Sequence, residues 1–126
     1  MLFIFIPEAA KILSSFGAKI ILACRNTDSG ENAAVKIREH TSNKSIVECR
    51  KLDLASLQSV QSFAQEIKER DEKIYALICN AGVWIPDDDC NNENKTTKDG
   101  YEAHFGINHL GHFALIQSHT PNGTVR

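Results

Sequence analysis

The chain has little of several features that would assign it at once to a class of protein. Its 126 residues hold one tryptophan, three prolines and four cysteines, and no two cysteines form a C-x-x-C pair. Three of the cysteines lie in or beside apolar runs, where a free cysteine behaves as a small hydrophobic residue. We therefore expect Cys24, Cys49, Cys79 and Cys90 to be reduced and structural, with Cys79 packed in the interior, as in a reducing compartment.

The chain also lacks a charge excess and a long apolar run. The formal net charge is −2 and no basic stripe stands out, which argues against nucleic acid and against an anionic membrane surface as partners. The apolar opening, Met1 to Ile6, is only six residues long. It is too short for the apolar region of a signal peptide or for a membrane span. We therefore expect no membrane span and a cytoplasmic location.

The composition that remains is that of a globular protein. Hydrophobic residues make up 42% of the chain and charged residues 24%, which is ordinary for a folded soluble domain. The length allows one hydrophobic core and not two. We predict a single domain over residues 1–126.

Apolar runs and helical patterns alternate along the chain. Strand-like runs begin near residues 19, 46 and 74, one for about every 30 residues, as expected for right-handed parallel crossovers. A long helical pattern begins near Thr97, after a polar loop over 86–96. The pattern predicts an α/β fold: an open parallel sheet of about four strands with helices on both faces, a partial Rossmann fold.

The connecting helices have recognisable ends. The first helical pattern stops at Gly17, a residue that commonly ends a helix. Capping residues at 27–29 open a second helix, which ends near His40. Ser56 is placed to cap a third helix, whose apolar stripe has the spacing of an amphipathic helix. That stripe consists of Leu57, Val60, Phe63, Ala64 and Ile67.

Polar residues follow the strands at the edge where ligands bind in open α/β sheets. Arg25 and Asn26 come directly after the second strand, where an arginine can pair with the 2′-phosphate of NADP. Taken alone, the same arginine is better explained as a residue at a solvated loop entrance. Asp53 follows the third strand, where it could accept from an adenine amino group or favour the N-terminus of the next helix. Asn80 to Gly82 could admit a cofactor to the backbone or form an ordinary turn.

Four segments together resemble the short-chain dehydrogenases/reductases, and among them the retinol-dehydrogenase-like group that includes the WW-domain-containing oxidoreductases. The resemblance covers roughly residues 8–117. The segments that carry it are Ile20 to Asn26, Leu52 to Ala55, Cys79 to Val83 and Asn108 to Phe113.

The resemblance implies a function and a set of site residues. It implies NADP as cofactor, with Arg25 at the 2′-phosphate, Asn26 as a further cofactor-binding residue, Asp53 and Leu54 at the adenine, and the backbone of Asn80, Ala81 and Gly82 facing the nucleotide. Asn108 falls where the family has the asparagine of its Asn-Ser-Tyr-Lys catalytic tetrad. The family implies a small apolar substrate, such as a retinoid or a steroid, that is interconverted between hydroxyl and carbonyl.

The chain departs from the family before its first helix. The family has a glycine-rich loop there, whose backbone amides cradle the pyrophosphate. This chain has Phe5-Ile6-Pro7-Glu8 instead, with no glycine before Gly17. Proline removes an amide donor, and Glu8 places a negative charge near the expected pyrophosphate.

The chain also departs downstream of Gln117. The family's catalytic serine and its Y-x-x-x-K pair do not follow, neither Tyr75 nor Tyr101 has a lysine four residues on, and residues 118–126 form a divergent tail. We expect a fragment truncated at both ends, a short isoform or a mis-predicted product, inactive alone because its general acid is missing. The alternative is a non-catalytic nucleotide-binding or protein-interaction module.

The opening residues have a further expected role. In the family the first strand lies between the second and the fourth, and Met1 to Ile6 is β-prone enough to fill that place. We predict a strand there, joined almost directly to a helix at Pro7. The sheet edge beyond the fourth strand would then be exposed and could support association with another chain.

A metal site is the remaining possibility, and the sequence does not favour one. His104, His109 and His112 lie on the last predicted helix, but no acidic residue or cysteine is spaced to complete a ligand set. We predict no metal.

Overall fold

The computed structural model describes residues 2–3, 7–41, 44–86 and 95–119. Its strands are β1 (Leu2–Phe3), β2 (Ile20–Cys24), β3 (Val47–Lys51) and β4 (Leu77–Ile78). Its first three helices are α1 (Pro7–Ser15), α2 (Thr27–His40) and α3 (Leu57–Glu69). The last helical stretch comprises α4 (Ala103–Phe105), a π-helical segment (Gly106–Gly111) and α5 (His112–His119).

The described chain divides into two compact units. The first unit, residues 1–52 and 73–80, contains a four-stranded sheet in the order β3-β2-β1-β4, and every pair of neighbours is parallel. The predicted parallel sheet of about four strands is therefore confirmed, and so is the place of β1 between β2 and β4. Of the predicted strand Met1 to Ile6, only Leu2 and Phe3 are described. In the described chain β4 is an edge strand; association through that edge stays a prediction.

The second strand carries the core of the first unit. Ile20, Ile21, Leu22 and Ala23 are each no more than 2% exposed, and because side chains alternate along a strand, both faces of the sheet are covered at β2. One core cluster joins β2 and β3 to α1 and α2. Its buried members are Ala10, Ile20, Leu22, Ala34, Ile37 and Val47.

The ends of the first two helices follow from local chemistry. Gly17 has φ +85°, a left-handed conformation that suits glycine, and α1 ends two residues before it, as predicted. The prediction that residues 27–29 cap α2 is wrong by one position. Asn26 is the N-cap, and its side-chain oxygen accepts a hydrogen bond from the backbone N–H of Ser29 at 3.0 Å.

The second unit, residues 53–72 and 81–126, contains α3, α4, the π-helical segment and α5. Ser56 caps α3 as predicted, accepting from the backbone N–H of Ser59 at 3.3 Å. Phe63 is 2% exposed, and its ring lies 6.3 Å from the ring of His119 on α5. Val60, Phe63, Ala64 and Ile67 are buried, which confirms most of the apolar stripe of α3.

The start of the last helical stretch was predicted wrongly. The sequence pattern placed it near Thr97, but α4 begins at Ala103. Residues before it form a turn in which the Thr97 N–H donates to the Tyr101 carbonyl at 2.8 Å and Gly100 has φ +86°. Glu102 then caps α4 by accepting from the backbone N–H groups of His104 and Phe105. A carboxylate there also suits the positive end of a helix dipole.

Two predicted segments are described only in part. Residues 87–94 of the polar loop and residues 120–126 of the divergent tail lie outside the described residues, whereas residues 118 and 119 of that tail belong to α5. No described helix is long and apolar enough to cross a membrane.

Candidate functional site

Two cationic side chains lie at the carboxyl ends of β2 and β3. Arg25 follows β2 directly and is exposed. Lys51 is the last residue of β3, pairs in register with Cys24, and donates from Nζ to the Arg25 carbonyl oxygen at 2.6 Å. Sequence reasoning missed Lys51, although its place two residues before Asp53 could have shown that it lies at the same edge of the sheet.

Asn26 has a structural task in the same turn. Its side-chain oxygen caps α2, and its backbone carbonyl accepts from the Gly30 N–H at 3.0 Å. The turn that carries Arg25 is therefore held at its C-terminal end by the first turn of α2.

Asp53 follows β3 and is 7% exposed. Its Oδ1 accepts from the backbone N–H of Ala55 at 3.1 Å, and its Oδ2 accepts from Lys98 Nζ at 2.8 Å. The backbone of Lys98 is held too, because its N–H donates to the Ala55 carbonyl at 2.9 Å. The carboxylate predicted to meet adenine thus already has a cationic partner within its own unit.

The adjacent aspartate extends this contact to α3. Asp99 Oδ2 accepts from the backbone N–H of Leu57 at 2.8 Å, in the first turn of α3. The turn formed by residues 97–100 therefore holds the N-terminus of α3 from outside, in addition to the cap by Ser56.

Leu54 is buried at 7% exposed and lies against the π-helical segment. A Cβ added to Gly111 would stand 2.6 Å from the Leu54 carbonyl oxygen and 3.0 Å from its Cβ. Only glycine at position 111 allows the helix to come this close to the loop after β3.

Asn108 lies in the π-helical segment and clamps the loop after β4. Its Oδ1 accepts from the Val83 N–H at 2.7 Å, and its Nδ2 donates to the Val83 carbonyl at 3.0 Å. The segment thus contacts both Leu54, through Gly111, and Val83, through Asn108. The side chain expected to belong to a catalytic tetrad is here paired with backbone.

The turn after β4 is partly open to solvent. Asn80 and Gly82 are exposed, and Ala81 is half-buried. A Cβ on Gly82 would lie 3.5 Å from Asn108 Oδ1, an ordinary contact. The expectation that Cys79 packs in the interior is wrong, because β4 ends at Ile78 and Cys79 is exposed. The described cysteines, Cys24, Cys49 and Cys79, are free thiols.

The N-terminus of α1 differs from a phosphate-binding helix start. The helix begins at Pro7, which has no N–H, and Glu8 is an acidic residue in its first turn. A negative charge at this end opposes an incoming phosphate, so this helix start does not fit a pyrophosphate.

A short hydrogen-bond network surrounds the start of α4. Glu102 accepts from two backbone N–H groups and from His104 Nδ1 at 2.8 Å. Backbone hydrogen bonds from Phe105 and His104, which favour the charged form, lower the pKa of Glu102. His104 Nε2 in turn accepts from the Ile85 N–H at 2.9 Å. Within the described ranges, no three His, Cys, Asp or Glu side chains are grouped to hold a metal ion.

Comparison with known proteins places these features in a family. A family model described as short chain dehydrogenase matches residues 7–123. Retinol dehydrogenase 12 of Mus musculus is 44% identical over 108 residues, which are 86% of this chain and 32% of that protein. The WW domain-containing oxidoreductase of Gallus gallus is 43% identical over 110 residues, 87% of this chain and 25% of that protein.

A solved structure agrees in fold. The crystal structure of a metagenomic short-chain oxidoreductase in complex with NADP superposes with a TM-score of 0.70 at 20% identity, covering 89% of this chain and 48% of that one. The chain spans about a quarter to a third of the length of the curated relatives named above. The family-model match over residues 7–123 is decisive: the chain belongs to the short chain dehydrogenase family.

Proposed function

We propose that this chain supplies the adenosine side of the cofactor site in an NADP-dependent oxidoreductase. The observation that carries the proposal is the pair of cations, Arg25 and Lys51, at the carboxyl ends of neighbouring strands. The whole protein would interconvert a hydroxyl and a carbonyl on an apolar substrate such as a retinoid or a steroid. Two relatives are named retinol dehydrogenase and oxidoreductase, which supports this class of reaction over a purely structural module.

The two cations suit the group that distinguishes NADP from NAD. A guanidinium can bind a phosphate through two parallel hydrogen bonds, whereas a lysine acts as a compact point charge. Arg25 is exposed, and within the described residues its guanidinium has no ion-pair partner. Lys51 adds a second positive charge close by, which strengthens the local attraction for an anion.

The residues fit the nucleotide only in part. The turn after β2 fits a 2′-phosphate, whereas the start of α1, with Pro7 and Glu8, does not fit a pyrophosphate. When bound, the nicotinamide cofactor supplies or accepts a hydride. Because only the adenosine side fits, this chain should recognise the nucleotide mainly through its 2′-phosphate.

Binding of nucleotide fragments by the 126-residue chain tests the proposal. We expect 2′,5′-ADP to bind more tightly than 5′-AMP, and Arg25→Ala to weaken 2′,5′-ADP by about tenfold or more, the usual effect of losing a charge-assisted hydrogen bond. Lys73→Ala, a lysine that precedes β4 at the opposite edge of the sheet, is the matched control and should change neither affinity. Equal affinity for the two fragments, or equal weakening of both by Arg25→Ala, would refute the proposal.

Activity of the whole protein needs its own experiment. Peptide mapping of the natural gene product would establish whether a serine and a Y-x-x-x-K motif follow Gln117. If they do, NADPH-dependent turnover of an apolar ketone or aldehyde by that product is the expected result. The resemblance-based roles of Asp53, Leu54, Asn80 to Gly82 and Asn108 stay predictions, as do the cytoplasmic location and the absence of nucleic-acid binding.

A further inference from the structure

Two cysteines lie side by side on one face of the first unit's sheet, on the neighbouring strands β2 and β3. In the parallel register of β2 and β3, Leu22 pairs with Cys49 and Cys24 pairs with Lys51. Cys24 therefore lies two residues beyond the partner of Cys49, and side chains two apart share one face of a sheet. Their sulfur atoms are 3.4 Å apart.

Helix α2 packs closely against both sulfur atoms. Gly30 in the first turns of α2 is buried, and an added Cβ would lie 2.3 Å from Cys24 Sγ and 2.4 Å from Cys49 Sγ. Glycine inside a helix is less favourable than alanine, because its backbone loses more conformational freedom on folding. Here it is the residue that leaves space for two sulfur atoms side by side.

We propose that Cys24 and Cys49 are a dithiol that closes reversibly to a disulfide. Bonded sulfurs lie about 2.0 Å apart, so the two sulfur atoms must approach each other by ~1.4 Å. Both residues are half-buried, which leaves the pair within reach of a small oxidant.

The oxidant is a low-molecular-weight disulfide of the glutathione type. The Cys24 thiol loses its proton to solvent, and the thiolate attacks one sulfur of the oxidant and expels one small thiolate. Cys49 then loses its proton and attacks the Cys24 sulfur of the mixed disulfide, expelling the second small thiolate. Two protein thiols are oxidised by two electrons, and one small disulfide is reduced to two thiols.

The order of attack follows from the surroundings of Cys49. Burial, the hydrogen bond with Cys24 and the nearby charges of Cys24 and Glu31 raise the pKa of Cys49 to about 12. Cys49 is therefore poorly ionised at neutral pH and serves as the second, resolving thiol. Once Cys24 is in a mixed disulfide, it no longer opposes ionisation of Cys49.

Closure would act on the turn that presents Arg25. Each thiol carries one hydrogen, and each lies within reach of a carbonyl in that turn: Cys24 Sγ is 3.1 Å from the Asn26 oxygen and Cys49 Sγ is 3.6 Å from the Thr27 oxygen. A disulfide has no S–H to donate, so both contacts are lost. An effect of closure on the affinity for a 2′-phosphate rests on the proposed function; formation of the bond does not.

The test uses the 126-residue chain with Cys79→Ser and Cys90→Ser, which leaves only the pair. The protein is incubated with oxidised glutathione, remaining thiols are alkylated, and intact mass and peptide maps are recorded. We expect a chain with no alkylated thiol, no glutathione adduct and a peptide linked through Cys24 and Cys49, reversed by dithiothreitol. Cys49→Ser in the same background is the matched control and should hold one glutathione on Cys24.

Two results would overturn the proposal. A stable glutathione adduct on the two-cysteine protein as end product would show that Cys49 does not resolve it, and full alkylation of both thiols would show that neither reacts. Incubation of the wild-type chain with oxidised glutathione in concentrated urea checks that closure needs the fold, because its four cysteines should then pair without preference. Hydrogen exchange at Ser29 and Gly30 should rise several-fold on closure, whether or not the chain binds nucleotide.

Discussion

Lys98 Nζ lies 2.8 Å from Asp53 Oδ2, and the two residues are 45 positions apart in the chain. The side chain of Asp53 is 9% exposed, whereas the side chain of Lys98 is 70% exposed. The pair therefore joins a mostly buried anion to a cation in contact with solvent. It fixes the 97–100 turn to the loop after β3, together with the backbone bond from the Lys98 N–H to Ala55.

Lys98→Ala should lower the free energy of unfolding by about 1 kcal/mol, because solvent weakens an exposed cation's attraction while the buried carboxylate loses a partner. The loss should shrink at high salt. Urea denaturation measures it, with Lys73→Ala as a control expected within about 0.5 kcal/mol of wild type. An unchanged stability for Lys98→Ala would mean that the Asp53 carboxylate does not need Lys98 as a partner.

Two substitutions at Asn108 separate its two hydrogen bonds to Val83. Asn108→Ala removes both and should cost about 1–2 kcal/mol of unfolding free energy, with faster hydrogen exchange at the Val83 amide. Asn108→Asp keeps an acceptor for the Val83 N–H but cannot donate to its carbonyl when ionised. Exchange at Val83 should therefore stay slow in Asn108→Asp; fast exchange in both variants would contradict the geometry.

The two glycines that bound the π-helical segment differ in what they meet. A Cβ on Gly106 would lie 2.3 Å from the Thr97 methyl, a side-chain atom, whereas a Cβ on Gly111 meets the backbone oxygen of Leu54. Either alanine substitution should cost about 1–3 kcal/mol by overpacking. Thr97→Ser removes the methyl and keeps the hydroxyl that accepts from the Tyr101 N–H at 3.2 Å.

A double-mutant cycle distinguishes the two positions. Thr97→Ser should recover part of the stability lost in Gly106→Ala and none of that lost in Gly111→Ala. Chemical denaturation of the wild type, the three single variants and the two double variants gives the two coupling energies. Equal recovery in both backgrounds would show that the Thr97 methyl is not the clashing atom.

The lowered pKa of Glu102 predicts that the stability of the fold depends on pH. Its backbone partners lower its pKa from the usual 4.5 in the folded state. The charged carboxylate therefore contributes stability above the unfolded value, and that contribution disappears as the pH falls through the lower, folded value. The free energy of unfolding should be higher for wild type than for Glu102→Gln at pH 7. The two values should converge as the pH falls to 3. Glu39→Gln, at an exposed site on α2, should show no such convergence.

The sequence predicted the elements whose signals are local and strong. The unbroken apolar run ending at Cys24 gave β2 within one residue, and Ser56 gave the start of α3. The strand over 74–79 was found but shrank to Leu77–Ile78. Apolar side chains indicate that a strand exists, whereas its length depends on how much of a neighbouring strand is available for pairing.

The errors arose where contacts distant in sequence decide the structure. The helix start near Thr97 was wrong because the turn over 97–100 bonds to Ala55 and Leu57, more than 40 residues away. Lys51 was missed as a site residue because its proximity to the Arg25 carbonyl depends on strand register. The position of Asn108 in a family motif predicted that it belongs to the site. The motif could not predict that the Asn108 side chain forms hydrogen bonds with the backbone of Val83.

The π-helical segment also sets the angular phase of α5. Successive α-helical residues are about 100° apart around the helix axis. Inserting or deleting one residue before α5 would therefore rotate every side chain of α5 by about 100° around that axis. His112 and Leu115 are buried on α5, whereas Phe113 is half-exposed between them. Deletion of Ile107 would therefore rotate the buried side chains of α5 toward solvent, although the sequence of α5 itself is unchanged. The wider turn between Gly106 and Gly111 therefore works as a spacer, whose length in residues decides which side chains of α5 face α3.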